Sequence, residues 1–256
     1  MDRHDERDLA TLDDLELAHG VADRAGLVAV AHFERGVTTE SKPDSSPVTV
    51  ADREVEELLR AALSRARPLD AILGEEMGQT GRSSRTWIVD PIDGTNFFAR
   101  KDPNWRIQIA LREDDEIILA VVDEPANGRR WWATAGGGAW ERTTAQPGAR
   151  QLRVSDTSDA KNAVLAFYPP DVVRRLPPHV QMEPRSALPL VEVVRGEIDG
   201  FFVDCCQVWD HAPWILLVQE AGGRFTDHEG GTRPDRRGGL YSNAGIHDAL
   251  LGRIIR

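Results

Sequence analysis

The chain has 256 residues, enough for one large domain or two modest ones, and its 29% charged and 41% hydrophobic content is that of an ordinary globular protein. A net charge of −11 argues against a nucleic-acid binder, which carries a basic stripe. No apolar run is long enough to span a bilayer, and the charged start from Met1 to Asp8 has no apolar core of a secretory signal, so a cytoplasmic protein with neither membrane nor nucleic-acid partners is expected. The only cysteines, Cys205 and Cys206, are adjacent and read as reduced thiols.

Leu15, Ala18, Val21, Ala22, Ala25, Val28 and Ala29 recur at helical spacing and predict an amphipathic helix from about Leu12 to Phe33, stopped at Gly36. Thr38 to Pro47 is polar and predicts a loop or short hairpin. A second helix follows from Val48, written by Val55, Leu58, Leu59, Ala62 and Leu63. Asp52 lies near its start, where a carboxylate also serves simply to complement the helix dipole. Ala71-Ile72-Leu73 predicts a strand ending in Gly74-Glu75-Glu76, and paired acids at such an end are commonly solvated surface.

The run Trp87-Ile88-Val89 predicts a buried strand delivering Asp90, with Pro91 ending the ladder because it has no N–H. Asp93 follows, and Gly94-Thr95 turns the chain. Two carboxylates three positions apart on such a turn can converge on a hard cation, and the N–H groups after Asp93 can receive an anion. Alone, the pattern reads equally as an ordinary strand-to-turn junction. Alternation at Trp105 to Leu111, Glu116 to Val122 and Arg130 to Ala133 predicts a strand meander, and Gly136 to Gly138 a tight turn that lacks the ending of a phosphate loop.

Thr143 to Arg150 is the expected boundary between an α+β subdomain (1–148) and an α/β subdomain (149–256). Beyond it, strands at Ala163 to Phe167, Ile198 to Val203, Arg224 to Thr226 and Leu240 to Tyr241 alternate with helices at Pro170 to Leu176, Leu188 to Arg195, His211 to Ala221 and Ile246 to Ile254. Asp210 falls at or next to a helix N-cap, where capping alone would account for it. His211 reads as a surface or capping group.

Taken together, Gly74-Glu75-Glu76, Trp87 to Thr95, and Trp209-Asp210-His211-Ala212 with Glu220 to Gly223 resemble the inositol monophosphatase superfamily, nearest its histidinol-phosphatase-like members. Pro47-Val48-Thr49 with Asp52 fits the upstream motif. The resemblance spans roughly Leu15 to Ile254 and implies a layered αβαβα sandwich and a Mg²⁺-dependent, lithium-sensitive phosphomonoesterase, by habit a homodimer. It implies that Glu75, Asp90, Asp93, Asp210 and the Ile92 carbonyl hold two or three Mg²⁺. Asp52 and Thr95 would position the attacking water, with Glu75 assisting, while the Gly94 and Thr95 N–H groups hold the phosphate. On the substrate side it points to Asp204, Arg185, Arg100 and Trp105, with Lys42 a loop residue near the acids. Histidinol phosphate is the first expectation for the substrate. Inositol phosphate, or another phosphorylated sugar, cyclitol or nucleoside, is the alternative, and a metal-binding paralogue without turnover is the alternative of another class. Asn96-Phe97-Phe98, Ser186-Ala187-Leu188, the short stretch from Tyr168 to Met182, and Trp214 depart from the histidinol-phosphatase pattern where the alcohol is read.

Overall fold

The computed structural model describes residues 9–41, 47–169, 181–182 and 188–254. Helix α1 (Asp14–Arg35) starts in a capping box, Asp13 Oδ1 accepting from Glu16 N at 2.8 Å, and buries Leu17, Val21, Ala25 and Ala29. A hairpin of β1 (Thr39–Ser41) and β2 (Pro47–Thr49) leads into α2 (Val50–Ala66). The buried face of α2 holds Asp52 and Glu56 together with Val55, Leu59 and Leu63.

An eight-stranded sheet follows, in the order β10-β9-β8-β7-β6-β5-β3-β4. Its strands are β3 (Ala71–Gly74), β4 (Gly78–Thr80), β5 (Arg85–Asp93), β6 (Arg106–Glu113), β7 (Glu116–Glu124), β8 (Arg129–Thr134), β9 (Gly138–Thr143) and β10 (Gln146–Gln151). The short helix α3 (Thr95–Ala99) joins β5 to β6. A five-stranded sheet, in the order β12-β11-β13-β15-β14, is made by β11 (Val164–Tyr168), β12 (Gln181–Met182), β13 (Gly200–Val203), β14 (Gly223–Asp227) and β15 (Gly239–Asn243). Helices α4 (Pro189–Val194), α5 (Val208–Glu220) and α6 (His247–Ile254) complete the chain. The expected helix from Pro170 to Leu176 lies outside the described residues. The stretch expected to divide the subdomains forms the β9–β10 connection and β10 itself.

By internal contacts the chain groups into two units, Met1–Asp114 with Val121–Arg130 and Thr143–Pro147, and Asp115–Ala120 with Trp131–Arg142 and Gly148–Arg256. In the first, α1 packs on α2 and α2 on β5. In the second, α4 packs on β13 and α5 on β14, and Leu165, Phe202, Leu240, Ile246 and Leu250 share one apolar cluster. Each such side chain, fully buried, contributes about 1.5–3 kcal/mol. No helix among the described residues is long and apolar enough to cross a membrane.

The fold departs from the sequence expectation at Pro91 and at His211. Pro91 does not end its strand: β5 runs on to Asp93, because a bulge between Asp90 (opposite Gln108) and Asp93 (opposite Arg106) accommodates a residue with no N–H to give. His211 is neither surface nor cap. It is buried, Nε2 lying 2.6 Å from the Pro234 carbonyl and Nδ1 2.7 Å from the Tyr241 hydroxyl. A carbonyl only accepts, so Nε2 carries the hydrogen and Nδ1 receives that of Tyr241.

Burial pushes His211 down to about 4, and His247, enclosed by Thr226 and Ser242, down to about 4 as well. Both are neutral in the fold, whereas in the unfolded chain they take protons near their ordinary value of 6.5. Their contribution is therefore complete above that value and is lost as the pH falls from it toward 4. The thermal midpoint should be lower at about pH 5 than at about pH 7.5, and His247→Gln should show a smaller drop than the natural chain.

Candidate metal centre

Strands β3 and β5 are parallel neighbours, with Gly74 opposite Val89. Glu75 and Asp90 thus follow at the same level, at the carboxyl ends of adjacent strands, where sheets of this kind bind ligands. Asp90 is buried, and its Oδ1 accepts from Ile92 N at 3.0 Å. In a regular strand, residues an odd number apart face opposite sides. The bulge after Asp90 removes that restriction and lets Asp93 turn toward it. Gln108 Nε2 lies 3.0 Å from Asp93 Oδ2, and Arg106 Nε lies 3.0 Å from the same oxygen, close enough for charge pairing but not aligned as a hydrogen bond. Both contacts fall on Oδ2, so Oδ1 is the oxygen Asp93 has to offer a cation.

Asp210, expected at or next to the N-cap of α5, is instead its third residue: Gln207 is the N-cap, and Asp210 Oδ2 accepts from Gln207 N at 2.7 Å. Asp52 has the same place in α2. Its Oδ2 accepts from Thr49 N at 2.8 Å and from the Thr49 hydroxyl at 2.5 Å. Its Oδ1 stands 3.2 Å from the Thr95 hydroxyl, which is equally 3.2 Å from the Ile92 carbonyl. Burial raises the Asp52 carboxyl above its usual range, against the pull of the Thr49 and Thr95 bonds. Asp90 and Asp93 each offer a carboxylate oxygen within 4.8 Å of the other. Glu75 is half-buried in the turn after β3. These are hard oxygen donors, the set that suits Mg²⁺, and both nitrogens of His211 are committed elsewhere.

Gly94 has φ 88° and ψ 38°, and its carbonyl takes the N–H groups of Phe97 at 2.8 Å and Phe98 at 3.1 Å. The N–H groups that open α3 have no partner within the helix. Among the substrate-side residues, Arg100 is exposed, bonded through Nε to the Asn96 carbonyl and set 5.7 Å over the Phe97 ring. Asp204 is exposed just after β13, and its carbonyl accepts from His228 Nε2 at 2.9 Å. Trp105 is corrected: it is fully buried, 4.9 Å from Phe98 and 5.6 Å from Phe33, so it lines no substrate mouth. Arg185 and Lys42 lie outside the described residues. The sequence reading missed Gln108, Arg106 and Glu56. The last is a fully buried carboxylate whose sole local signal is its place on the buried face of α2, one turn after Asp52.

Layered helices and mixed sheets, with acids at the ends of β3 and β5 and in the first turn of α5, are the architecture of a class of phosphatases. The Inositol monophosphatase family profile matches residues 12–256, and the chain belongs to that family. It is an enzyme, a phosphoric monoester hydrolase. Similar proteins include a histidinol-phosphatase of Streptomyces coelicolor (37% identical, over 95% of this chain and 97% of that one) and an inositol-1-monophosphatase of Rhizobium meliloti (35%, over 82% and 83%). A Streptomyces griseus protein named glucose-1-phosphate thymidylyltransferase is 39% identical over 94% of this chain and 96% of its own. Among solved structures, an IMPase of Thermotoga maritima superposes with a TM-score of 0.81 at 28% identity, covering 95% of this chain and 97% of that one.

A Cβ on Gly94 would fall 3.1 Å from the Asn104 carbonyl and 3.2 Å from Phe97, at a φ that side chains rarely adopt. Gly94→Ala should cost about 1–3 kcal/mol in urea unfolding and lower phosphatase activity further than that loss explains.

Proposed function

We propose that the chain hydrolyses the phosphate ester of a small alcohol with Mg²⁺, and that the alcohol is histidinol. The observation that carries the reading is the bulged end of β5, where Asp90 and Asp93 bring carboxylate oxygens within 4.8 Å of each other. Asp90, Asp93 and Asp210, with Glu75 and the Ile92 carbonyl, would hold two or three ions. When bound, these offset the charge of the phosphate dianion and acidify a water. The chain's own groups do the rest. Asp52, made more basic by burial, draws the hydrogen of the Thr95 hydroxyl, so that the Thr95 oxygen can accept a proton from the attacking water, with Glu75 assisting. The N–H groups of Gly94 and Thr95 receive phosphate oxygens at the turn into α3. Asp204 supplies a negative charge suited to the ammonium group of histidinol, and Arg100 would also meet the substrate.

The 37% identity to a histidinol-phosphatase over nearly the whole of both chains supports histidinol phosphate. The second reading, inositol phosphate, is favoured by the relative of that name at 35%.

Phosphate release from p-nitrophenyl phosphate should depend on Mg²⁺ and fall more than about a hundredfold in Asp93→Asn. In a panel of histidinol phosphate, inositol 1-phosphate and glucose 1-phosphate, the first should show the highest kcat/KM. A preference for inositol 1-phosphate selects the second reading. Release that ignores Mg²⁺, or an unaffected Asp93→Asn, removes the proposal.

A further inference from the structure

Glu56 is a carboxylate of zero exposure on the sheet-facing side of α2. Burying a charge of this kind is costly unless every lone pair is met. Its partners are specific. Oε2 accepts from Glu76 N at 2.7 Å, and Oε1 from Met77 N at 3.0 Å and from Arg60 Nε at 2.7 Å. Arg60 then reaches the far side of the same turn, donating to Thr80 Oγ1 at 3.0 Å and to the Gly78 carbonyl. The turn so gripped begins at Glu75. Room for the grip comes from Gly74, where a Cβ would lie 2.3 Å from Glu56 Oε1 and 2.9 Å from Arg60 Nη2. Gly74 is therefore glycine because the carboxylate of Glu56 occupies the space of its side chain.

We infer that Glu56 is a positioning residue for divalent-cation binding: by holding the two N–H groups after Glu75, it aims the Glu75 carboxylate at the place the metal takes. The inference rests on the phosphatase reading above, in which Glu75 is a ligand. A Glu56–Arg60 pair that served stability alone would have no reason to bond the backbone of this one turn from both ends. Backbone N–H donors fix direction as well as distance, which a side-chain contact to Glu75 would not do without competing with the ion. Glu56 touches neither substrate nor water in this scheme and acts through Glu75 alone.

The test is Mn²⁺ binding followed by electron paramagnetic resonance on the full-length protein, with the Mg²⁺-induced rise in thermal midpoint as a second readout. Glu56→Gln keeps the volume but puts an amide where N–H groups and Arg60 need an acceptor. It should weaken Mn²⁺ affinity about ten- to a hundredfold and shrink the Mg²⁺-induced rise in thermal midpoint. Arg60→Gln leaves the carboxylate and removes only its lateral tether, so a shift in the same direction but smaller is expected, and it decides the matter if Glu56→Gln does not fold. Asp93→Asn is run in parallel. If it abolishes Mn²⁺ binding while Glu56→Gln lowers the metal-free thermal midpoint and leaves affinity unchanged, Glu56 is structural and this inference is overturned with the phosphatase reading intact. If Asp93→Asn also leaves affinity unchanged, the metal centre itself is wrong.

Discussion

Like charges gathered in one place resist being gathered. At separations near 4.8 Å and the effective dielectric of a protein margin, two carboxylates repel by roughly 3–4 kcal/mol. A fold that collects them has to compensate without occupying the space a cation needs. In this chain the compensation is mostly peptide N–H: Thr49 for Asp52, Ile92 for Asp90, Gln207 for Asp210. A hydrogen bond to a charged group is worth about 1.5–3 kcal/mol, comparable to one such repulsion. Each of these donors comes from the chain within three residues of its carboxylate.

Two local devices supply these donors. Asp52 and Asp210 are both third residues of helices that start in capping boxes, where the dipole adds to the hydrogen bond. Glu75 and Asp90 leave the ends of parallel strands at one level, and the bulge admits Asp93. Asp93 is the exception in being held by side chains, Gln108 and Arg106 of β6, on a single oxygen. The helix positions serve acids that are separate in sequence, and the strand positions serve acids that are close.

Much of this was legible from sequence because the signals are local. The apolar spacing that wrote α1 and α2, and the acids at the starts of α2 and α5, are properties of a few consecutive residues, as is the Asp-Pro-Ile-Asp-Gly-Thr turn. What was misread depends on distant partners. Trp105 sits beside the turn in sequence and was expected at a substrate mouth, yet Phe33 of α1 and Phe98 enclose it. His211 is buried by Tyr241 and by the carbonyl of Pro234, neither of which α5 announces. Pro91 was read as a stop because proline lacks a donor, and the ladder answered with a bulge instead. Glu56 was hidden among apolar neighbours, although Asp52, Glu56, Leu59 and Leu63 follow helical spacing and an acid in that series has to find partners inside.

The irregularity between Asp90 and Asp93 sets how this segment tolerates change in length. Trimming one residue there would let β5 resume plain alternation against β6, with Asp93 still opposite Arg106. The two acids would then stand on one face of a straight strand but about 6.6 Å apart along it, two rises of about 3.3 Å, and the turn that swings Asp93 toward Asp90 would be gone. At this end of the sheet the spacing of the residues is part of the chemistry.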